Sequence, residues 1–443
     1  MIEKMRTGLA DLCKKYDNIK ISFSYQTWET DFLRFYQSQI NYNIRRENVN
    51  LQVSIYKDKK PYSFAMSNPD LVKVEEKISE SLEIIDSLPE DNDFVDLEKD
   101  TRIAEEHSVV NNVENVTLAQ KIEILQKISE AVKKYNFEIY GTFIVNNVTN
   151  YIINSNGLNK AETYSPIMLE VKAVSKENQV TVLESFGSVS LEKLDVDKFL
   201  ESLILKVQTA KFGVVDLPAK HYEVILAPRC IGEYLSYLTY GMTAGSLDQK
   251  ESFFEGKINE KIFPENITLT DNPSDPDLIP FKYDGNGHLY QKTELIKNGV
   301  FKNFMVDNYY SYKTGLEENG ANGSCLVMDE GDKDLAEMIS GVKHGIYISS
   351  LHYMNFINPK ETSLTGLTRD GTFLIENGEL KNVVNNLRFT VKISDILNNI
   401  TEIENKSSIV PFSENYGEFD ISLIKMPHVK VNNFNITSST KTI

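Results

Sequence analysis

From residue 21 to residue 67 the chain alternates apolar and polar side chains with a period of two, in text rich in Tyr, Phe, Thr, Val and Ile. That period puts successive side chains on opposite faces of a pleated strand, so the stretch cannot settle as helix. It reads as an antiparallel meander of three to five strands, with Lys57-Asp58-Lys59-Lys60-Pro61 as the hairpin turn between the last two. On either side the period becomes helical. Residues 1–16 are amphipathic, and across 70–88 Leu71, Val74, Ile78, Leu82 and Ile85 share one face.

The mixture continues. An acidic, polar stretch at 89–115 breaks the pattern and reads as a long surface loop or a partly disordered segment. A helix is expected at 116–135, with Thr117 as N-cap. Strands are expected at 137–145, 148–154, 165–174 and 179–187, with a turn at Ser155-Asn156-Gly157-Leu158 that needs a left-handed residue at Gly157. A helix at 195–212 follows. Residues 211–220 are the best place for a domain boundary. Beyond it, Val224-Ile225-Leu226 runs into Pro228, and Ile231, Leu235, Leu238 and Met242 form one stripe: strand, turn, helix. The remainder is turn-rich, with strand candidates at 267–270, 289–297, 301–309, 345–349 and 371–376. Asn298-Gly299 and Asn377-Gly378 each sit between strand runs and favour type I′ hairpin turns. Residues 431–443, rich in Asn, Ser and Thr, read as a frayed strand. The fold class is therefore α+β in two domains. Residues 1–215 form an N-terminal mixed domain with antiparallel sheet, and 216–443 a C-terminal domain rich in antiparallel β-structure.

A chain of 443 residues suits two or three domains. Its net charge of −17 argues against a nucleic-acid backbone as partner. No stretch approaches the ~18 apolar residues of a membrane span, and the charged N-terminus is no signal peptide, so no membrane partner is expected and a cytoplasmic location is. Cys13, Cys230 and Cys325 are odd in number and far apart, so no disulfide framework or zinc knuckle can be drawn from them.

Several residues carry candidate chemistry. Cys230, after Arg229 at a helix start, is either an activated thiol or a packing cysteine. His344 and His352 are candidates to meet on an ion with Asp370 or Glu376, or else are turn histidines. The glycine-rich pieces 284–287 and 319–324 lack a Walker lysine and read as loop tips. Thr368-Arg369-Asp370-Gly371 reads either as an edge that binds extended peptide, with Arg369 on a carbonyl or carboxylate, or as an Asp-Gly turn. Tyr309, Tyr310, Tyr312 and Tyr347 are candidates to line an aromatic groove, or half-buried sheet surface.

The order of these pieces resembles the TldD/PmbA family, also called the modulator-of-DNA-gyrase family. The likeness rests on the meander, the Asn154-Ser155-Asn156-Gly157-Leu158 turn, the Tyr222 to Met242 segment, Leu295 to Lys302 followed by Phe304-Met305-Val306-Asp307, and Thr368 to Gly378. The resemblance implies a two-domain α+β fold, a dimer, and a role in proteolysis of unfolded peptides or peptide precursors. In the zinc-bearing branch the helix carries His-Glu-x-x-x-His and a later Cys is the third ligand. Here the matching positions read Ser236-Tyr237-Leu238-Thr239-Tyr240-Gly241, no histidine lies between His221 and His288, and no cysteine follows Cys325. The resemblance therefore implies a TldE/PmbA-like, zinc-free and noncatalytic subunit. It would have no catalytic residue of its own at Ser236, Tyr237 or Gly241, no metal and no cofactor. It would hold a peptide substrate through Thr368, Arg369 and Asp370, paired with a zinc-bearing TldD-like subunit as a heterodimer or with itself as a homodimer. The alternatives are a self-paired peptide-binding protein without catalysis, or a peptidase with a relocated metal site.

Overall fold

Among the described residues, two sheets with helices packed on them form the framework. The structure, a computed structural model, describes residues 2–99, 102, 116–413 and 419–440. The meander is three long strands, Lys20–Tyr36, Gln39–Lys57 and Lys60–Ser67. Asp58 and Lys59 both take positive φ (50° and 63°) in the second hairpin turn, as a type I′ turn demands. Across the first sheet the order is Lys60–Ser67, Gln39–Lys57, Lys20–Tyr36, Phe137–Asn154, Ile167–Ser175 and Thr181–Ser188, antiparallel throughout, with Asn159–Tyr164 also on Phe137–Asn154.

Side-chain parity decides what each face meets. Ile21, Phe23 and Tyr25 point to the same side as Leu51, Val53 and Ile55 and pack beneath helices Ile2–Lys15 and Leu71–Ile85. Further along that face, Leu33 and Phe143 lie with Ile128, Leu203 and Val207 of helices Leu118–Lys133 and Val196–Ala210. Thr117 and Gln120 form a full capping box at the start of Leu118–Lys133. The even positions Phe32, Ile144 and Met168 point the other way, into one continuous core with Ile231, Leu235 and Met426 of the second half.

Three expectations need correction here. Strands expected at 137–145 and 148–154 are a single strand, Phe137–Asn154. The apparent break, Asn146-Asn147, stays in the ladder opposite Thr30 and Glu29, and the buried Asn146 amide donates to the Phe419 carbonyl at 2.9 Å. Residues 301–309 are not a strand beyond Val300–Phe301; Asp307 accepts a hydrogen bond from the Tyr310 amide and caps a short helix, Asn308–Thr314. Residues 431–440 are no frayed end. They complete the strand Ile421–Thr440, which runs through the middle of the second sheet; 441–443 lie outside the described residues, as do 100, 101 and 103–115 of the acidic stretch.

The second sheet begins at Val214–Val215, paired to Val383 and Val384, so the changeover between sheets falls within the 211–220 stretch. Its centre is His221–Leu226, flanked by His344–Asn358 in parallel and by Ile421–Thr440 antiparallel. Both Asn-Gly hairpins form as expected: Asn298 and Gly299 have φ of 49° and 77°, Asn377 and Gly378 of 49° and 80°. Among the described residues no helix is long and apolar enough to cross a membrane.

Candidate functional site

The central strand His221–Leu226 ends at Ala227, and Pro228 opens helix Pro228–Tyr240 at the position where a missing N–H costs nothing. Cys230, Ile231, Tyr234, Leu235 and Leu238 bury one side of that helix. Ser236 is exposed, and its hydroxyl donates back to the Gly232 carbonyl at 2.9 Å. Tyr237 donates to the Met354 carbonyl at 2.6 Å, and its ring stands edge-on to Phe356. Gly241 ends the helix with an ordinary helical φ of −71°. A hydrolytic zinc needs three protein ligands and an open position. A back-bonded serine, a phenol tied to a carbonyl and a residue without a side chain do not fit that group.

One acidic side chain on this helix escaped the sequence reading. Glu233 lies one turn before Ser236, four residues after Arg229, whose Nε is 3.6 Å away; Arg229 Nη1 also meets Glu170 at 3.0 Å. Burial pushes the Glu233 carboxyl up to about 7, with Arg229 only partly opposing it and Glu170 adding to it. The available signal was a lone Glu at i+4 from an Arg on an otherwise apolar turn. Cys230 is the packing cysteine. It is fully buried, its thiol donates to the Ile348 carbonyl at 3.2 Å, and burial raises its pKa well above the ordinary thiol value despite Arg229.

The Thr368-Arg369-Asp370 segment lies where the two sheets meet, beside a groove of 590 Å³ lined by Lys172, Gln179, His352, Arg369, Asp370 and Asn385, among others. Its three residues separate in role. Thr368 is wholly buried and accepts the Leu387 amide, so it supports the strand crossing and offers nothing to the groove. Asp370 holds the first sheet, accepting the Thr181 hydroxyl at 2.6 Å and pairing with Lys172 at 2.8 Å. Arg369 keeps 42% of its side chain exposed. Strand Ser363–Glu376 pairs with Asn386–Lys392 up to Leu367 and with Glu379–Val384 from Phe373 onward. Between them Thr368, Arg369 and Thr372 pair only with His344–Asn358, and Asp370 and Gly371 fall at a register shift of that pairing, which leaves a short open edge beside the groove. An open edge with Lys172 and Arg369 near it suits backbone carbonyls or a carboxylate. His352 adds a ring whose pKa is lowered by burial and by Arg369.

Two other groupings do not form. His344 sits near Glu376 at 3.9 Å, while His352 is eight residues on along the same strand, roughly 25 Å at strand rise. The two rings cannot share an ion. Tyr309, Tyr310 and Tyr312 share the short helix Asn308–Thr314, but Tyr347 is buried elsewhere against His428, so the four do not line one groove.

Comparison with known proteins agrees with this architecture. Residues 219–438 match the PmbA/TldA metallopeptidase C-terminal domain, and residues 111–211 its central domain. The chain belongs to the PmbA/TldD metallopeptidase family. A zinc metalloprotease TldD homolog of Saccharolobus solfataricus is 25% identical over 78% of this chain and 79% of its own length. An uncharacterized protein of Methanocaldococcus jannaschii is 30% identical, in a match covering 39% of this chain and 44% of that protein, so the match spans less than half of that relative. The crystal structure of TldE from Thermococcus kodakarensis superposes with a TM-score of 0.87 over 97% of this chain and 99% of that one, at 22% identity.

Proposed function

We propose that this chain is the zinc-free, noncatalytic subunit of a TldD–TldE-type peptidase complex. It holds an extended peptide while a zinc-bearing partner supplies the metal and the hydrolytic water. The observation that carries the reading is the helix Pro228–Tyr240, where Ser236 and Tyr237 are both engaged with backbone carbonyls and Gly241 has no side chain to offer. The fold likeness to a TldE structure supports it. Peptide enters the reading through the open edge at 368–372 and the exposed Arg369 beside it.

The test is reconstitution. The purified chain should leave an unfolded peptide substrate intact. Mixed with a TldD-like subunit carrying His-Glu-x-x-x-His from the same genome, it should form a heterodimer that cleaves the substrate. Hydrolysis by the chain alone, abolished by a metal chelator, would overturn the reading in favour of a relocated metal site. A stable homodimer that binds peptide and ignores the zinc-bearing subunit would favour a self-paired binding protein.

A further inference from the structure

Residues 91–99 run as a strap from the first domain onto the second. Asn154 and Asn156 side chains donate to the Glu98 and Leu97 carbonyls at 2.9 and 2.7 Å, Lys20 pairs with Asp96 at 3.2 Å, and Lys313 reaches Asp93 at 3.5 Å. Where the strap lands, Glu98 meets His288 and Glu318. His288 Nδ1 lies 3.3 Å from Glu98 Oε2 and 3.4 Å from Glu318 Oε1, and the three ligand atoms fall within 4.8 Å of one another. The Glu98 and His288 side chains are 9% exposed.

Two further observations point to a cation. Asp284 is 6% exposed; its Oδ1 accepts the Asn286 and His288 amides, but its Oδ2 is buried and accepts no hydrogen bond from the described residues. That carboxylate acts electrostatically on both His288 and Glu318. The spacing is also informative. A charged N–H···O bond closes to ~2.7–2.9 Å, shorter than either contact here. Around a metal with ~2.0–2.1 Å bonds, neighbouring ligands of a tetrahedron stand about 3.3–3.4 Å apart.

We propose that Glu98 Oε2, His288 Nδ1 and Glu318 Oε1 bind a first-row divalent cation of the zinc type, which clasps the strap to the second domain. Imidazole among the ligands selects such an ion over calcium or magnesium. This site is separate from the helix Pro228–Tyr240 and independent of any hydrolytic zinc brought by a partner. Arg102 is its competitor. Its guanidinium lies 2.9 Å from His288 Nε2. By donating into Nε2 it leaves the ring proton on Nδ1, between the two carboxylates. Metal binding exchanges this arrangement: the ion takes Nδ1, the proton moves to Nε2, and Arg102 must swing away because two donors would face each other.

The test uses the full chain, stripped of metal and titrated with zinc in a calorimeter. One site per chain is expected. Glu318→Gln should weaken binding at least about tenfold, and Arg102→Ala should tighten it. Cobalt(II) should give the wild type a visible absorption band that Glu318→Gln loses; this readout stands on the wild type alone if the variant folds poorly. Saturable binding absent from both wild type and Arg102→Ala would overturn the proposal. So would binding that survives both Glu318→Gln and His288→Gln, because the ion would then sit elsewhere.

Discussion

Asp370 Oδ2 and Lys172 Nζ stand 2.8 Å apart, and with the Thr181 hydroxyl on Asp370 Oδ1 they join strand Ser363–Glu376 of the second sheet to Ile167–Ser175 and Thr181–Ser188 of the first. Asp370 takes a positive φ of 50°, a conformation that Asp and Asn tolerate better than other residues with a side chain. Asp370→Asn therefore keeps the backbone and removes only the charge. It should cost about 1–2 kcal/mol, since Lys172 is partly exposed, and urea unfolding at neutral pH measures it.

Arg369, whose Nε lies 3.9 Å from Asp370 and whose side chain is 42% exposed, is the neighbour placed to act on a ligand. Arg369→Ala should leave the unfolding midpoint within about 0.5 kcal/mol of wild type and weaken binding of an unfolded peptide to the assembled complex about tenfold. Fluorescence anisotropy of a labelled peptide reads this out. Unchanged peptide affinity would remove Arg369 from the binding surface.

Glu233 gives the stability a pH dependence of known sign. Its folded pKa of about 7 lies above its ordinary value of 4.5 because burial disfavours the charged form. Between those values the folded state holds a proton that the unfolded chain has released, so stability falls as pH rises from 4.5 to 7 and the loss is complete above 7. Glu233→Gln cannot ionise. Its stability relative to wild type should increase between pH 5 and pH 8 by up to about 3 kcal/mol, seen in denaturation curves at both values.

Two glycines with positive φ separate conformational strain from collision. Gly157 has φ of 91° and nothing within 4 Å of an added Cβ, whereas Gly299 has φ of 77° and a Cβ there would lie 2.1 Å from the Phe263 carbonyl oxygen. Gly157→Ala should cost about 1 kcal/mol. Gly299→Ala should cost at least about 2 kcal/mol more, because backbone has to move. Thermal unfolding compares them directly.

Restoring the zinc motif tests whether the helix alone is the deficiency. Ser236→His, Tyr237→Glu and Gly241→His together supply two ligands and a base, but no cysteine follows Cys325. Zinc per chain, by mass spectrometry, should match the wild type, with no gain of hydrolysis. One additional tightly held zinc would show that another residue already stands in the third position.

How much the sequence disclosed depended on whether the information was local. The type I′ turns at Asn298-Gly299 and Asn377-Gly378 and the Thr117 cap were legible because two to four adjacent residues dictate them. Residues 301–309 misled because their apolar residues resemble a strand, although Asp307 before Asn308 was a helix-start signal. The Asn- and Ser-rich end looked frayed because composition carries no record of neighbours; its partners are His221–Leu226 and Asn386–Lys392. The groove around Arg369, the raised pKa of the buried Glu233 carboxyl and the Glu98–His288–Glu318 cluster all join residues far apart in sequence or depend on burial, which no single stretch of sequence displays.

The place of Ile421–Thr440 in the second sheet also sets a timetable. Ile225 pairs with Lys430, about two hundred positions further on. During synthesis the antiparallel sheet of the first half can close as soon as Thr181–Ser188 has emerged. The strand His221–Leu226, with Pro228–Tyr240 behind it, must wait with one edge unpaired until the last of its neighbours leaves the ribosome. For that interval a row of unpaired amides and carbonyls beside apolar Val224, Ile225 and Leu226 is open to any extended chain nearby. A nascent chain stalled before residue 421 should therefore be prone to aggregation, and a chaperone that shields extended apolar segments would act on this protein late in translation.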